Sequence, residues 1–161
     1  KAEELPDIRF HMIGQVQTKK ANHVARWAHS VHSVDTEKLA VALNRGVDNA
    51  QRDILPVFIQ VSHDGDTARG GVAPEGVEEL AQIIEDLPNL ELRGLMVVPP
   101  LESDAKQVFT SVRELTDKLG EQLKRPLLLS AGMSADLADA IASGTDIVRV
   151  GTGIMGARPL G

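Results

Sequence analysis

Leu127-Leu-Leu-Ser-Ala-Gly-Met-Ser134 and, a short helix-period stretch later, Asp146-Ile-Val-Arg-Val-Gly-Thr-Gly153 form the passage whose reading decides the fold. Each half is an apolar, β-rich run that closes on small residues, so two consecutive strands should each end in a tight turn. Between them Leu137 and Ile141 stand one helical turn apart, and Gly144 is placed to end a short helix. Strand, helix and strand in immediate succession make the repeating unit of a parallel sheet.

The same unit recurs toward the N-terminus. Strands are expected at Arg9 to Ile13, Ser30 to Val34, Leu55 to Ser62, Leu90 to Val98, Pro126 to Ser130 and Asp146 to Val150. After Pro74, the residues Val77, Leu80, Ala81, Ile84 and Leu87 recur at the three- and four-residue steps of one helix face. Between Ser103 and Gly120 the stripe is Val108, Val112, Leu115 and Leu119, with Phe109 beside it. Six units in 161 residues is about 27 residues each, so a closed eight-unit barrel would need roughly 215. The expected fold is therefore α/β, a TIM (β/α)8 barrel with about six of its eight units in this chain. No linker or low-complexity tract interrupts the series, so residues 1–161 are expected to be a single partial barrel domain. A doubly wound sheet would place a Gly-rich phosphate turn after its first strand, whereas here the Gly-containing loops come last. The chain opens without an initiator Met and reaches its first strand almost at once, which reads as a start partway into a domain.

Composition narrows the functional classes. A net charge of −6 with one Trp, three Phe and no Tyr lacks the basic, stacking footprint of a nucleic-acid binder. The acidic surface also disfavours anionic membranes, and no apolar run approaches the roughly 20 residues of a membrane span. With no cysteine there is no disulfide, catalytic thiolate or thiolate-bound metal, which fits a cytoplasmic protein. Asp64-Gly-Asp66 lacks the further oxygen ligands calcium requires, and His23, His29, His32 and His63 have no metal-ligand spacing, so no metal site is expected.

The two terminal turns carry the chemistry. In barrels the loops after the last two strands commonly bind phosphate through backbone N–H groups and a helix start, because those donors have no partner within the helix. Ser134 fits such a site at the helix start, and equally fits a plain N-cap. Gly151 and Thr152 would let the backbone approach a phosphate, although glycines at strand ends are also simple turn formers. Alternation puts Ile147, Arg149 and Gly151 on one face and Val148 and Val150 on the other. Arg149 pointing into the barrel mouth would need an anion or strong acceptor in front of it, or an internal ion pair with a carboxylate such as Asp146.

Several segments resemble those of one family in order and spacing. They are Phe10-His-Met-Ile-Gly14 with Gln17-Thr-Lys-Lys20, His32-Ser-Val-Asp35, Leu92-Arg-Gly-Leu-Met96, Ser130-Ala-Gly-Met-Ser134 and Val148-Arg-Val-Gly-Thr-Gly-Ile-Met-Gly-Ala-Arg158. Together they resemble the signatures of the YggS/PROSC family of pyridoxal phosphate homeostasis proteins, whose single barrel is related to the N-terminal domain of alanine racemase. The resemblance implies pyridoxal 5′-phosphate at the C-terminal rim, with Ser134, Gly151 and Thr152 as phosphate contacts. It further implies Met133 lining the same loop, Arg149 facing the pyridine nitrogen and His11 near the cofactor, though a histidine at a strand start is more often structural.

The implied function is binding and homeostasis of the cofactor without strong enzymatic activity, the alternative being a pyridoxal-phosphate-dependent amino-acid racemase. Phe10 replaces the tryptophan usual in that segment. The family's Schiff-base lysine lies on the first strand, expected upstream of residue 1. None of Lys1, Lys19, Lys20, Lys38, Lys106, Lys118 or Lys124 falls in an expected strand, so no catalytic residue is assigned. Exposed edges of an incomplete barrel would favour self-association or a retained N-terminal fragment.

Overall fold

A computed structural model describes residues 7–66 and 70–156 of the chain. Five parallel strands run in the order in which they occur, β1 (His11–Met12), β2 (Ser30–Val34), β3 (Leu55–Val61), β4 (Leu90–Val97) and β5 (Leu128–Ser130). Between them lie α1 (Ala21–Trp27), α2 (Glu37–Asn49), α3 (Val77–Glu85) and α4 (Ala105–Leu123), and α5 (Leu137–Ala142) and α6 (Thr152–Met155) follow β5. Every crossover steps to the next strand in the same direction, and parallel crossovers are right-handed almost without exception, so successive helices fall on one side of the sheet.

Side-chain burial agrees. Val31, Val57, Ile59, Val61, Leu92, Leu95, Val97, Leu129 and Ala131 share one core with Leu43, Ile84, Val112 and Leu119 of the helices. The expected stripes of α3 and α4 both pack this way, with Leu87 and Leu115 partly buried at the margin. Thr36 and Asp104 start α2 and α4 by accepting from the N–H groups of Leu39 and Gln107, satisfying donors that a helix start leaves free.

The opposite face of the strands decides the architecture. His32 Nδ1 on β2 lies 2.9 Å from Ser130 Oγ on β5, although β3 and β4 stand between them. In a flat sheet those strands would be roughly 14 Å apart, further than a histidine and a serine can span. The sheet is therefore curled with His32 and Ser130 on its concave side, which is the arc of a barrel.

Two expectations change. The segment 146–150 is not a strand: only the bridge of Ile147 to Ser130 forms. It still runs beside β5, with Ala131 N donating to Ile147 O and Arg149 N to Gly132 O. But Asp146 Oδ2 takes the N–H of Leu129, and Thr145 Oγ1 lies within hydrogen-bond distance of the carbonyls of Leu129, Ala131 and Ile147. Side chains thus occupy backbone groups that a regular ladder would use. The expected Leu137–Ile141 pair on α5 also fails, because Ile141 is exposed and Ala140 is the residue buried. Gly144, at φ +80°, follows that helix as expected.

Candidate functional site at the barrel mouth

The two terminal turns meet. Ser134 lies in the turn preceding α5, whose N-cap is Asp136, and the hydroxyl of Ser134 accepts from the N–H of Gly153 at 2.9 Å. The N-cap reading of Ser134 is therefore replaced: its side chain ties one loop to the other. Asp136 bends back to accept from the N–H of Met133 at 2.6 Å, which fixes the turn and leaves the Met133 side chain half exposed. Gly132 permits the bend at φ +97°, and a Cβ there would stand 2.5 Å from Ala140 Cβ.

What this turn presents is a set of backbone donors. The N–H groups of Ser134, Ala135, Gly151 and Thr152 have no hydrogen-bond acceptor among the described residues. A Cβ added at Gly151 would meet no atom within 4 Å, so open space faces that backbone. Ala157 and Arg158, the last residues of the motif read from sequence, lie outside the described residues.

Arg149 reaches from this turn onto the concave face. Its guanidinium donates to Ser130 Oγ and to the carbonyl of Val97 at the end of β4, both at 2.9 Å. The ion pair with Asp146 weighed from sequence does not form, since Asp146 pairs with Arg113 at 2.9 Å instead. Among the described residues no carboxylate lies within salt-bridge distance of Arg149. Burial pushes its pKa down, partly countered by the charge of Asp136, yet an arginine remains a cation at neutral pH. Two of its five N–H groups are used, and the others have no acceptor among the described residues.

Behind Arg149 runs a polar line that sequence reasoning missed. Ser130 and His32 are fully buried; His32 stacks on Phe58 with ring centroids 4.3 Å apart. His32 Nε2 lies 3.0 Å from both Ser30 Oγ and His11 Nδ1, and Ser30 Oγ lies 2.7 Å from the latter. His11 thus reaches the site through His32, at the far end from the turn. Burial, then the charges of His11 and Arg149, push the His32 pKa down to about 4. That of His11 is lowered by burial, His29 and Arg9. The missed signal was the strand Ser30-Val-His-Ser-Val34, in which every residue is buried and whose alternation sets Ser30 and His32 opposite Val31.

The residues expected to lack a site role also find places. Lys19 and Lys20 belong to a short 3₁₀ turn, Lys38 to α2, Lys106 and Lys118 to α4, and Lys124 caps α4, so no described lysine stands on a strand. Among the described residues no group of three or more His, Cys, Asp or Glu could hold a metal ion, and no helix is long and apolar enough to cross a membrane.

Comparison with known proteins agrees with this fold. The family described as alanine racemase, N-terminal domain, matches residues 2–159. A pyridoxal phosphate homeostasis protein of Corynebacterium glutamicum is 54% identical over 99% of this chain and 75% of its own length. One from Mycobacterium bovis is 39% identical over 95% of this chain and 62% of its own length. PipY of Synechococcus elongatus, in a structure with PLP bound, superposes with a TM-score of 0.86 at 31% identity, covering 96% of this chain and 73% of that one. Alanine racemase of Corynebacterium glutamicum, at 14% identity and a TM-score of 0.72, shares the fold. With its curled parallel sheet and paired terminal turns, the chain belongs to the alanine racemase N-terminal domain family, on the branch of the pyridoxal phosphate homeostasis proteins.

Proposed function

We propose that the chain binds pyridoxal 5′-phosphate at the barrel mouth and serves its homeostasis in the cytoplasm, holding the cofactor without strong catalysis. The observation that carries this is Arg149: a cation with, among the described residues, no carboxylate partner and N–H groups without acceptors, set beside a turn of backbone donors likewise unpaired among them. Those groups fit the cofactor. The N–H groups around Ser134, Gly151 and Thr152 suit a phosphate, Met133 lines the same turn, and the guanidinium suits an aromatic nitrogen acceptor. His11 serves the site through His32.

When bound, the cofactor supplies an aldehyde and a pyridine ring able to withdraw electrons. Arg149 has no proton to release at neutral pH, so a ring nitrogen accepting from it stays unprotonated and withdraws electrons weakly. That supports holding over turnover. The five strands and the segment 146–150 correspond, in this reading, to units three to eight of the barrel, with a lysine for the aldehyde contributed by a preceding segment. The shorter share of the Mycobacterium bovis relative that this chain spans, 62%, is compatible with that placement. β1, at the end of the five-strand order, would then pair with that segment or with a second copy.

Calorimetric titration with pyridoxal phosphate, pyridoxal and inorganic phosphate tests the reading. Pyridoxal phosphate should bind at least tenfold more tightly than pyridoxal, with phosphate competing. Equal affinity for pyridoxal and its phosphate would refute a phosphate-holding turn. Borohydride reduction followed by intact mass measurement should leave no cofactor attached to this chain.

A further inference from the structure

The proton directions along the buried polar line can be worked out from its ends. Arginine only donates, so Ser130 Oγ accepts from Arg149 Nη1. The single hydroxyl proton of Ser130, at 0% exposure, then has one acceptor among the described residues, His32 Nδ1 at 2.9 Å. The opposite arrangement, with His32 donating from Nδ1, would bury that hydroxyl proton without a partner. The cost of such an unmade bond decides against it. A neutral His32 that accepts at Nδ1 carries its proton on Nε2, which lies 3.0 Å from both Ser30 Oγ and His11 Nδ1 and leaves the Ser30 hydroxyl proton only His11 Nδ1 to meet among these three groups. Ser30 in turn donates to His11 Nδ1 at 2.7 Å, the acceptor that ends the line.

We propose that Ser130 and His32 are positioning residues for Arg149, fixed by a one-way line of donated hydrogen bonds that runs Arg149, Ser130, His32, Ser30, His11. Ser130 takes its direction from Arg149 and His32 its tautomer from Ser130, so the guanidinium cannot swing away without leaving two of its own N–H groups without acceptors and the buried Ser130 oxygen without its donor. The contact to Val97 O anchors the second nitrogen, and together the two bonds hold the plane of the guanidinium. Its free N–H groups are thereby presented in one orientation. The value of this arrangement for the cofactor's ring nitrogen rests on the function proposed above, whereas the orientation itself does not.

The line has one partly exposed end. Protonating His11 at Nδ1 would remove the terminal acceptor and force Ser30 to turn. The charged and titratable groups facing that end are His29, whose ring lies 5.2 Å from that of His11, together with Arg9 and His32. Arg149 and, beyond it, Asp136 face the other end, and β3 contributes only the apolar ring of Phe58. Burial first, then His29 and Arg9, lower the His11 pKa below its usual range, so the line stays intact at neutral pH.

Nitrogen-15 NMR of histidine- and arginine-labelled chain tests the proposal without any ligand. His32 should show an unprotonated Nδ1 and a protonated Nε2, and the Nη protons of Arg149 should give separate, slowly exchanging signals. In Ser130→Ala those Arg149 signals should merge and His32 should populate both tautomers, whereas Ser130→Thr should preserve the native pattern. Titrated with pyridoxal phosphate, Ser130→Ala should bind about tenfold more weakly and Ser130→Thr within about twofold of the parent. A His32 protonated at Nδ1 in the unaltered chain overturns the proposal, as does a Ser130→Ala chain whose Arg149 signals and affinity are both unchanged. Native NMR signals in a chain that binds no pyridoxal phosphate support the positioning line and count against the cofactor reading alone.

Discussion

The same strands carry two unlike surfaces. Toward the helices, β2 to β5 present Val31, Val57, Ile59, Leu92, Leu95 and Leu129, packed with Leu43, Ile84 and Phe109 into one dry core. Toward the barrel axis they present Ser30, His32 and Ser130, with Phe58 and Met96 between them. Residues one position apart therefore belong to different physics: the first face is held by apolar burial, the second by hydrogen bonds whose partners must all be present. The helix face secures the fold, and the axial face sets the charge state and direction of the groups at the mouth.

Four measurements probe that division, and the largest effect belongs to the helix face. Phe109, at 0% exposure on α4, sits in the core on the helix side of the sheet. Phe109→Ala should lower stability to denaturant by about 3–5 kcal/mol. The His32 tautomer and any cofactor affinity should remain unchanged at temperatures where the variant is folded. A shifted His32 signal would show that the faces are coupled.

Acid should act on the axial face. The His32 pKa is about 4 in the fold against about 6.5 unfolded, so below pH 6.5 the unfolded chain binds the proton more readily. Stability from this group is complete above pH 6.5 and is lost as pH falls toward 4. The loss approaches about 3 kcal/mol, and His11 adds to it in the same direction. Replacing His32 by Gln should flatten the pH dependence of the denaturation midpoint between pH 6.5 and 4, and an unchanged slope would contradict the assignment.

At the mouth, Arg149→Ala should weaken pyridoxal phosphate binding by roughly ten- to a hundredfold, the worth of a charged hydrogen bond, and lower stability by about 1–3 kcal/mol because Ser130 Oγ and the Val97 carbonyl lose a donor. A large fall in Tm with unaltered affinity would reassign Arg149 from the mouth to the scaffold. The smallest effect is expected far from both faces. Asp104 caps α4 through the N–H of Gln107, and Asp104→Ala should cost about 1 kcal/mol in urea unfolding without any change at the mouth.

How much of this was readable beforehand differs between elements. The strands β2, β3 and β4 and the stripes of α3 and α4 stand where alternation and helical spacing put them, because those periods are local and their apolar residues all turn to the same core. The terminal segment did not become a strand, since Thr145 and Asp146 compete for the backbone of β5, a competition that propensity does not register. Ser134 was picked out for the right turn, but its hydroxyl accepts from Gly153 N–H instead of capping the helix, whose N-cap is Asp136. His32 entered as the start of the family-like segment His32-Ser-Val-Asp35 and as a metal ligand set aside, but with no place in the site.

The sequence by itself determined the alternation of strand and helix, the pairing of two small-residue turns at the end of the series, and the motifs that place the chain in its family. Only the tertiary structure decided that Arg149 meets Ser130 and no carboxylate among the described residues, that Ser134 joins the turn of Gly153, and that His32 meets Ser130 across 98 residues of chain. The reason is geometric. A strand's two-residue period is fixed by each backbone unit alone, whereas the curl that brings β2 opposite β5 accumulates over every strand between them.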